Sequence, residues 1–205
     1  MKVTVLHDGT YASNCYLVTD DGGTAAVLID PSVPPSFARR KVGELPRIDT
    51  ILLTHGHFDH MLALAEWRAL TGAPVAIGAP DAAALSDPGL SCYRGFLGQE
   101  TTFAPPERLL AAGDTVAVGK ELLTVLSTPG HTPGGLAFDS GDLLFTGDTL
   151  FAGGGNGRSD LPGGNGDLLV ASLKKLLLLP GERRLLSGHG IEGRLSKEKK
   201  YFNFS

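Results

Sequence analysis

The run Thr54-His55-Gly56-His57-Phe58-Asp59-His60 constrains this chain more than any other stretch. It follows residues 49–53 (DTILL), which read as a short buried strand, and it holds three of the six histidines in 205 residues. In an extended segment, side chains at i and i+2 leave on the same side, so His55 and His57 can reach one cation. Asp59 and His60 fall where the chain turns toward a helix. They point elsewhere and can serve a second cation a few ångströms away. Imidazole suits zinc, iron and related ions, and carboxylate suits bridging.

The same context recurs later in Gly130-His131, Gly147-Asp148 and Gly188-His189-Gly190, each behind a predicted strand. Glycine lets a backbone turn sharply and approach a bound group closely. Strand ends on one edge of a sheet project into a common crevice, so several such loops can build one metal site. His131 and His189 can each complete one metal, and Asp148 can bridge. Asp59 has a plainer role open to it, as the N-cap of a helix starting at His60. His7 has no glycine neighbour and matches no motif, so it reads as an ordinary side chain.

Elsewhere, residues 2–6, 14–19, 24–29, 50–53 and 74–78 read as strands, and Pro34-Pro35 opens a helix reaching about Glu44. Residues 60–70 have helical composition, 81–85 make a short helix, and 86–106 form a long loop with an aromatic cluster of Tyr93, Phe96 and Phe103. From Arg108 the texture turns to β. A glycine-rich loop (153–166) then leads to a helix at about 167–178, a strand at 183–187 and a basic, then aromatic tail that reads as a last helical turn with a docked end. Strands and helices mix in both halves, as in a layered α/β or α+β domain. A net charge of −4 argues against nucleic acid or anionic membrane as partner, and no apolar run is long enough to span a bilayer. Two cysteines and an N-terminus without an apolar signal region point to the cytoplasm. Oligomeric state is not legible.

HGHFDH (55–60) resembles the HxHxDH motif of the metallo-β-lactamase superfamily, and TPGHTPG (128–134), FTGDTLF (145–151) and SGHG (187–190) match its later positions in order. That resemblance implies an α/β or α+β four-layer sandwich (αβ/βα), with a dinuclear metal site at one edge of the two sheets. It implies His55, His57 and His131 for the first metal, Asp59, His60 and His189 for the second, and Asp148 as the bridge. GDTLFAGGGNGRSDLPGGN (147–165) looks like the signature of the glyoxalase II (hydroxyacylglutathione hydrolase) group, although the loop from Gly153 to Arg158 is a residue longer than the usual pattern. Full-length glyoxalase II carries a C-terminal helical domain that supplies much of the glutathione site. Here the sequence stops 16 residues beyond His189, at Ser205, so a single domain over 1–205 is expected. The resemblance is thus to short glyoxalase II-like hydrolases. True β-lactamases generally place a cysteine at the position of Asp148 or alter the Asp59-His60 pair; this chain has neither feature, so the resemblance points away from a lactamase.

Two divalent metals, zinc first with iron or manganese as alternatives, would lower the pKa of a shared water from ~15.7 toward ~7. The resulting bridging hydroxide would attack the acyl carbon of a small-molecule thioester, with Asp59 as ligand and catalytic orienter. Thr54, Thr128 and Thr146 flank the ligand motifs and are candidates to hold the imidazoles. Tyr93, Arg94 and Arg158 are candidates to touch substrate, although for Arg158 the favoured reading is a pairing with Asp160 that pins the loop. The same residues leave open a mononuclear-iron persulfide dioxygenase, in which the resemblance implies His55, His131 and Asp148 as ligands, and a non-catalytic metal-binding module.

Overall fold

The computed structural model describes residues 1–7 and 9–202. Six strands form the first sheet in chain order: β1 (Lys2–Leu6), β2 (Cys15–Thr19), β3 (Ala25–Ile29), β4 (Arg47–Leu52), β5 (Val75–Gly78) and β6 (Arg108–Leu110). β1, β2 and β3 are antiparallel neighbours, and β3 through β6 run parallel. The second sheet holds β7 (Thr115–Val118), β8 (Glu121–Ser127), β9 (Leu136–Asp139), β10 (Leu143–Gly147), β11 (Arg184–Ser187) and β12 (Gly193–Arg194), again in chain order across the sheet. Its pairs are antiparallel except β10 with β11.

Alternation along the strands explains why the sheets stack. Tyr16, Val18, Val27 and Ile29 face Val125, Phe138, Phe145 and Leu186 in one apolar layer between the sheets. Their neighbours Leu17, Ala26 and Leu28 point the other way, onto α1 (Pro35–Val42) and α2 (Leu64–Thr71) through Ala38, Leu64 and Trp67. Across the molecule Ala137, Leu144 and Leu185 cover Leu169, Leu173 and Leu176 of α4 (Gly166–Leu177). Strands apolar on both faces require covering on both, and the result is the expected αβ/βα sandwich. Asn165 caps α4, its Oδ1 accepting from Leu168 N at 3.1 Å.

Three elements differ from expectation. The helix expected from His60 instead splits into a 3-10 turn, Phe58–His60, and α2. Asp59 and His60 turn their side chains into the site, and Ala63 N is held by Pro31 O at 2.9 Å, so the α-helix starts only after that tie. The long loop at 86–106 contains α3 (Tyr93–Leu97), entered through Cys92 in the left-handed region (φ 65°). The segment read as a helix at 81–85 is a longer 3-10 helix, Ala79–Leu85. The tail does form a helical turn, α5 (Leu195–Glu198), while residues 203–205, with the proposed docked end, lie outside the described residues. No helix among the described residues is long and apolar enough to cross a membrane.

Candidate metal centre

β3 and β4 run parallel in one sheet; β8, β10 and β11 share a direction in the other, since β8 and β10 are both antiparallel to β9. Their C-terminal ends meet at one edge, where Leu136 N donates to Thr54 O at 2.8 Å across the sheets. From that edge come His55, His57, Asp59 and His60 after β4, His131 after β8, Asp148 after β10 and His189 after β11. All seven sequence candidates are therefore brought together. Their donor atoms fall into three overlapping groups, each within 4.8 Å: His55, His57 and His131; His55, His60 and Asp148; Asp59, His60 and His189.

The hydrogen bonds behind the imidazoles decide which nitrogen faces inward. His131 Nδ1 lies 2.6 Å from Arg158 O, which can only accept, so that nitrogen carries the proton and Nε2 turns to the site. Thr54 donates its single hydroxyl proton to Asp30 Oδ2 (2.8 Å), and so accepts from His55 Nδ1 at 3.1 Å. His60 Nδ1 bonds to the same Asp30 oxygen at 2.8 Å. One carboxylate thus orients two imidazoles. Asp30, only 1% exposed, holds a φ of 53°, which aspartate tolerates better than most residues. Sequence reasoning missed it; its one signal is an acidic residue behind an all-apolar strand in AAVLID. Of the three threonines singled out, Thr54 reaches an imidazole, whereas Thr146 donates to Leu150 O at 2.7 Å.

The inward-facing atoms are short of partners. His55 Nε2, His60 Nε2 and Asp148 Oδ1 are buried without hydrogen bonds; the last two stand 3.2 Å apart but are not aligned to bond. His57 Nδ1 is 2.9 Å from His131 Nε2, and Asp148 Oδ2 is 3.6 Å from both His131 Nε2 and His189 Nε2. Asp59 Oδ2 lies 3.0 Å from His189 Nε2, so it faces the cluster and does not cap a helix. Leaving buried acceptors unpaired is costly, and a cation among them removes that cost. The donor set, nitrogen and carboxylate oxygen together, fits zinc or iron.

Packing leaves no room for a side chain at several glycines around the cluster. A Cβ on Gly188 would overlap Asp148 Oδ1 and come within 2.7 Å of His60, and one on Gly147 (φ 49°) would come within 2.6 Å of Thr54 Oγ1. Burial, with His131 next, pushes His57 down to about 3, and burial likewise holds His55 well below the ordinary imidazole value. Burial opposes ionisation of Asp59, but the bond from His189 and the nearby His60 outweigh it, and its pKa is lowered.

A cavity of about 440 Å³ opens over the cluster, lined by His57, Asp59, His131, Asp148 and His189 and walled by Tyr11, Phe58, Phe96, Leu97, Phe151 and Leu161. Arg158 reaches this wall while pairing with Asp160 through two bonds of 2.6 Å, so it both lines the cavity and pins the loop. Tyr93 and Arg94 do not line it. Tyr93 is 3% exposed and packs in the core, because α3 turns it inward against Phe103, and Arg94 points outward to Glu100 at 2.7 Å. Cys92 and Phe96 occupy the wall instead.

Residues 8–189 match the family described as the metallo-beta-lactamase superfamily. The chain belongs to that superfamily. Within it the chain is 41% identical to the "probable metallo-hydrolase YqgX" of Bacillus subtilis, over 94% of this chain and 92% of that protein. It is 30% identical to the "hydroxyacylglutathione hydrolase GloC" of Haemophilus influenzae, covering 98% of this chain and 96% of that one. Two crystal structures superpose closely. The BLEG-1 B3 metallo-β-lactamase does so with a TM-score of 0.87, 31% identity and 97% of each chain covered. A protein solved in a di-iron-bound form does so with a TM-score of 0.81, 35% identity, and 99% of this chain and 100% of that one covered. Members of the superfamily close to this chain therefore carry both hydrolase and lactamase names, and the His and Asp clusters here form a candidate dinuclear metal site.

Proposed function

We propose that this protein is a dinuclear metallohydrolase acting on small-molecule thioesters, with two divalent ions as cofactors and zinc ahead of iron or manganese. The observation that carries the proposal is the set of buried donor atoms that make no hydrogen bond, His55 Nε2, His60 Nε2 and Asp148 Oδ1, at the meeting point of three ligand clusters. His55, His57 and His131 would hold one ion and Asp59, His60 and His189 the other, with Asp148 between them. A structural zinc is normally closed by four protein ligands; seven donors shared by two ions leave positions for water and substrate. Bound there, the ions would supply Lewis acidity and lower the pKa of water toward ~7. The hydroxyacylglutathione hydrolase name of the Haemophilus relative supports the choice of reaction.

The residues then divide the work. Asp59 borders the cavity with a lowered pKa, so its carboxylate stays ionised and orients the attacking water, whose proton passes to solvent. The water oxygen bonds to the acyl carbon, the carbon–sulfur bond breaks, and the thiolate departs with the bonding pair. A thiolate needs little protonation, so no dedicated side-chain acid is required. Cys92, on the cavity wall, is kept as a thiol by burial and by Asp59, and does not serve as nucleophile.

The test is release of free thiol from S-D-lactoylglutathione and simpler thioesters by metal-replete protein, with Asp59→Ala alongside. Misplacing a reacting group by about 1 Å can cost about 10²-fold, so the variant, which loses the group that orients the water, should lose at least about 100-fold in kcat. Undiminished turnover in metal-replete Asp59→Ala would remove its role, and no turnover of any thioester would overturn the reaction. Similarity to BLEG-1 favours β-lactam hydrolysis as a second reading; turnover of a chromogenic cephalosporin in preference to every thioester would establish it.

A further inference from the structure

The wall of the cavity would meet the outer arm of a substrate whose reacting bond sits over the His and Asp cluster. Tyr11 and Phe96 are 61% and 54% exposed, unusual for aromatic side chains, and both stand at the mouth over the cluster of His and Asp side chains. They are not loosely hung. Phe96 stacks on buried Phe58 (centroids 5.5 Å apart, 27° between planes), and Tyr11 meets the same ring at 6.1 Å. Phe58 rests on Tyr93 at 5.7 Å, and Tyr93 on Phe103 at 6.0 Å, so the wall is the outer end of an aromatic ladder rooted in the core. α3 builds this arrangement by sending Tyr93 inward and Phe96 and Leu97 to the cavity. Phe151 and Leu161 continue the apolar surface.

The charges point the same way. Among the described residues Arg158 is the one Arg or Lys lining the cavity, and its Nε and Nη2 already engage both oxygens of Asp160, which balances its charge. A peptide thiol such as glutathione brings two carboxylates and an ammonium, and each wants a partner of opposite charge. An apolar arm wants only surface to cover, and a pre-ordered aromatic wall offers it at low entropic cost.

We infer that the outer cavity of this enzyme selects thioesters with an apolar, aromatic or medium-length aliphatic acyl arm, gripped by Tyr11, Phe58 and Phe96, over those whose recognition depends on a charged peptide carrier. This rests on the proposed thioesterase reaction for the position of the reacting bond, but its test does not. Each buried methylene contributes about 0.8 kcal/mol, roughly fourfold in binding, so a phenyl ring against this wall is worth well over tenfold.

The experiment is calorimetric binding to metal-loaded protein of three probes: phenylacetate, lactate and S-methylglutathione. Phenylacetate should bind at least tenfold tighter than either of the others. Phe96→Ala should lose about tenfold for phenylacetate, and Phe96→Leu should recover most of it. Equal affinity for phenylacetate and lactate, tighter binding of S-methylglutathione, or indifference of phenylacetate to Phe96→Ala would each overturn the inference. If phenylacetate binds as expected and no thioester turns over, the apolar site stands and the thioesterase reading falls. If lactoylglutathione turns over while phenylacetate binds no better than lactate, the reverse holds.

Discussion

Asp30 shows how much of a site can depend on a residue that need not touch the substrate. Its Oδ2 receives both the Thr54 hydroxyl and His60 Nδ1, and Oδ1 accepts Thr54 N at 2.8 Å. His60 directly, and His55 through Thr54, therefore take their tautomers from one carboxylate. Asn is the fitting replacement, since it is nearly isosteric and tolerates the positive φ that Asp30 adopts. It cannot accept every one of those protons, because its nitrogen is a donor. Outer partners of metal ligands are worth about 10–100-fold in affinity. Asp30→Asn is therefore expected to weaken metal binding by that factor in competition with a chromophoric chelator, with the far-ultraviolet circular dichroism unchanged; unaltered affinity would show that the imidazoles are oriented without it. The contrast with His55 and its companions is instructive. A ligand motif with glycines announces itself in sequence, whereas a lone aspartate at the end of an apolar strand resembles any turn residue until folding brings His60, thirty positions later, beside it.

Between elements, the 3-10 helix after β5 joins the two halves of the site. Asp81 accepts Gly56 N, in the histidine turn, at 3.1 Å and Gly134 N, just past His131, at 2.5 Å. The two loops belong to different sheets, so this carboxylate fixes their separation. Each buried N–H left without a partner costs about 1–3 kcal/mol. Asp81→Ala should therefore lower the unfolding free energy by about 2–4 kcal/mol in urea denaturation; a loss under about 1 kcal/mol would mean that the loops hold their spacing unaided. Element placement itself was largely legible. Strands expected at 2–6, 24–29 and 74–78 appear as β1, β3 and β5, because apolar alternation and flanking turn residues are local signals. The start of α2 was not legible, because the tie from Ala63 to Pro31 and the inward pull of Asp59 and His60 are tertiary. α3 was missed for a related reason: five residues entered through a left-handed Cys92 carry no helical periodicity to read.

At the scale of the whole molecule, two six-stranded sheets covered by helices converge at one edge, and seven donors from four loops meet there. The order of the motifs along the chain foretold that convergence through family resemblance, while their separations within the cluster came only from the folded structure. Arg158 and its pairing with Asp160 were legible in the sequence, whereas Tyr11, Phe58 and Phe96 meet in one cavity wall only after folding. The direct measurement is metal content per chain, by inductively coupled plasma mass spectrometry, on protein purified without chelators and cleared of loosely held ions. Two ions per chain in the native protein, falling toward one in Asp59→Ala, is the predicted result. One iron per chain in both proteins, or no bound metal, would contradict the dinuclear site.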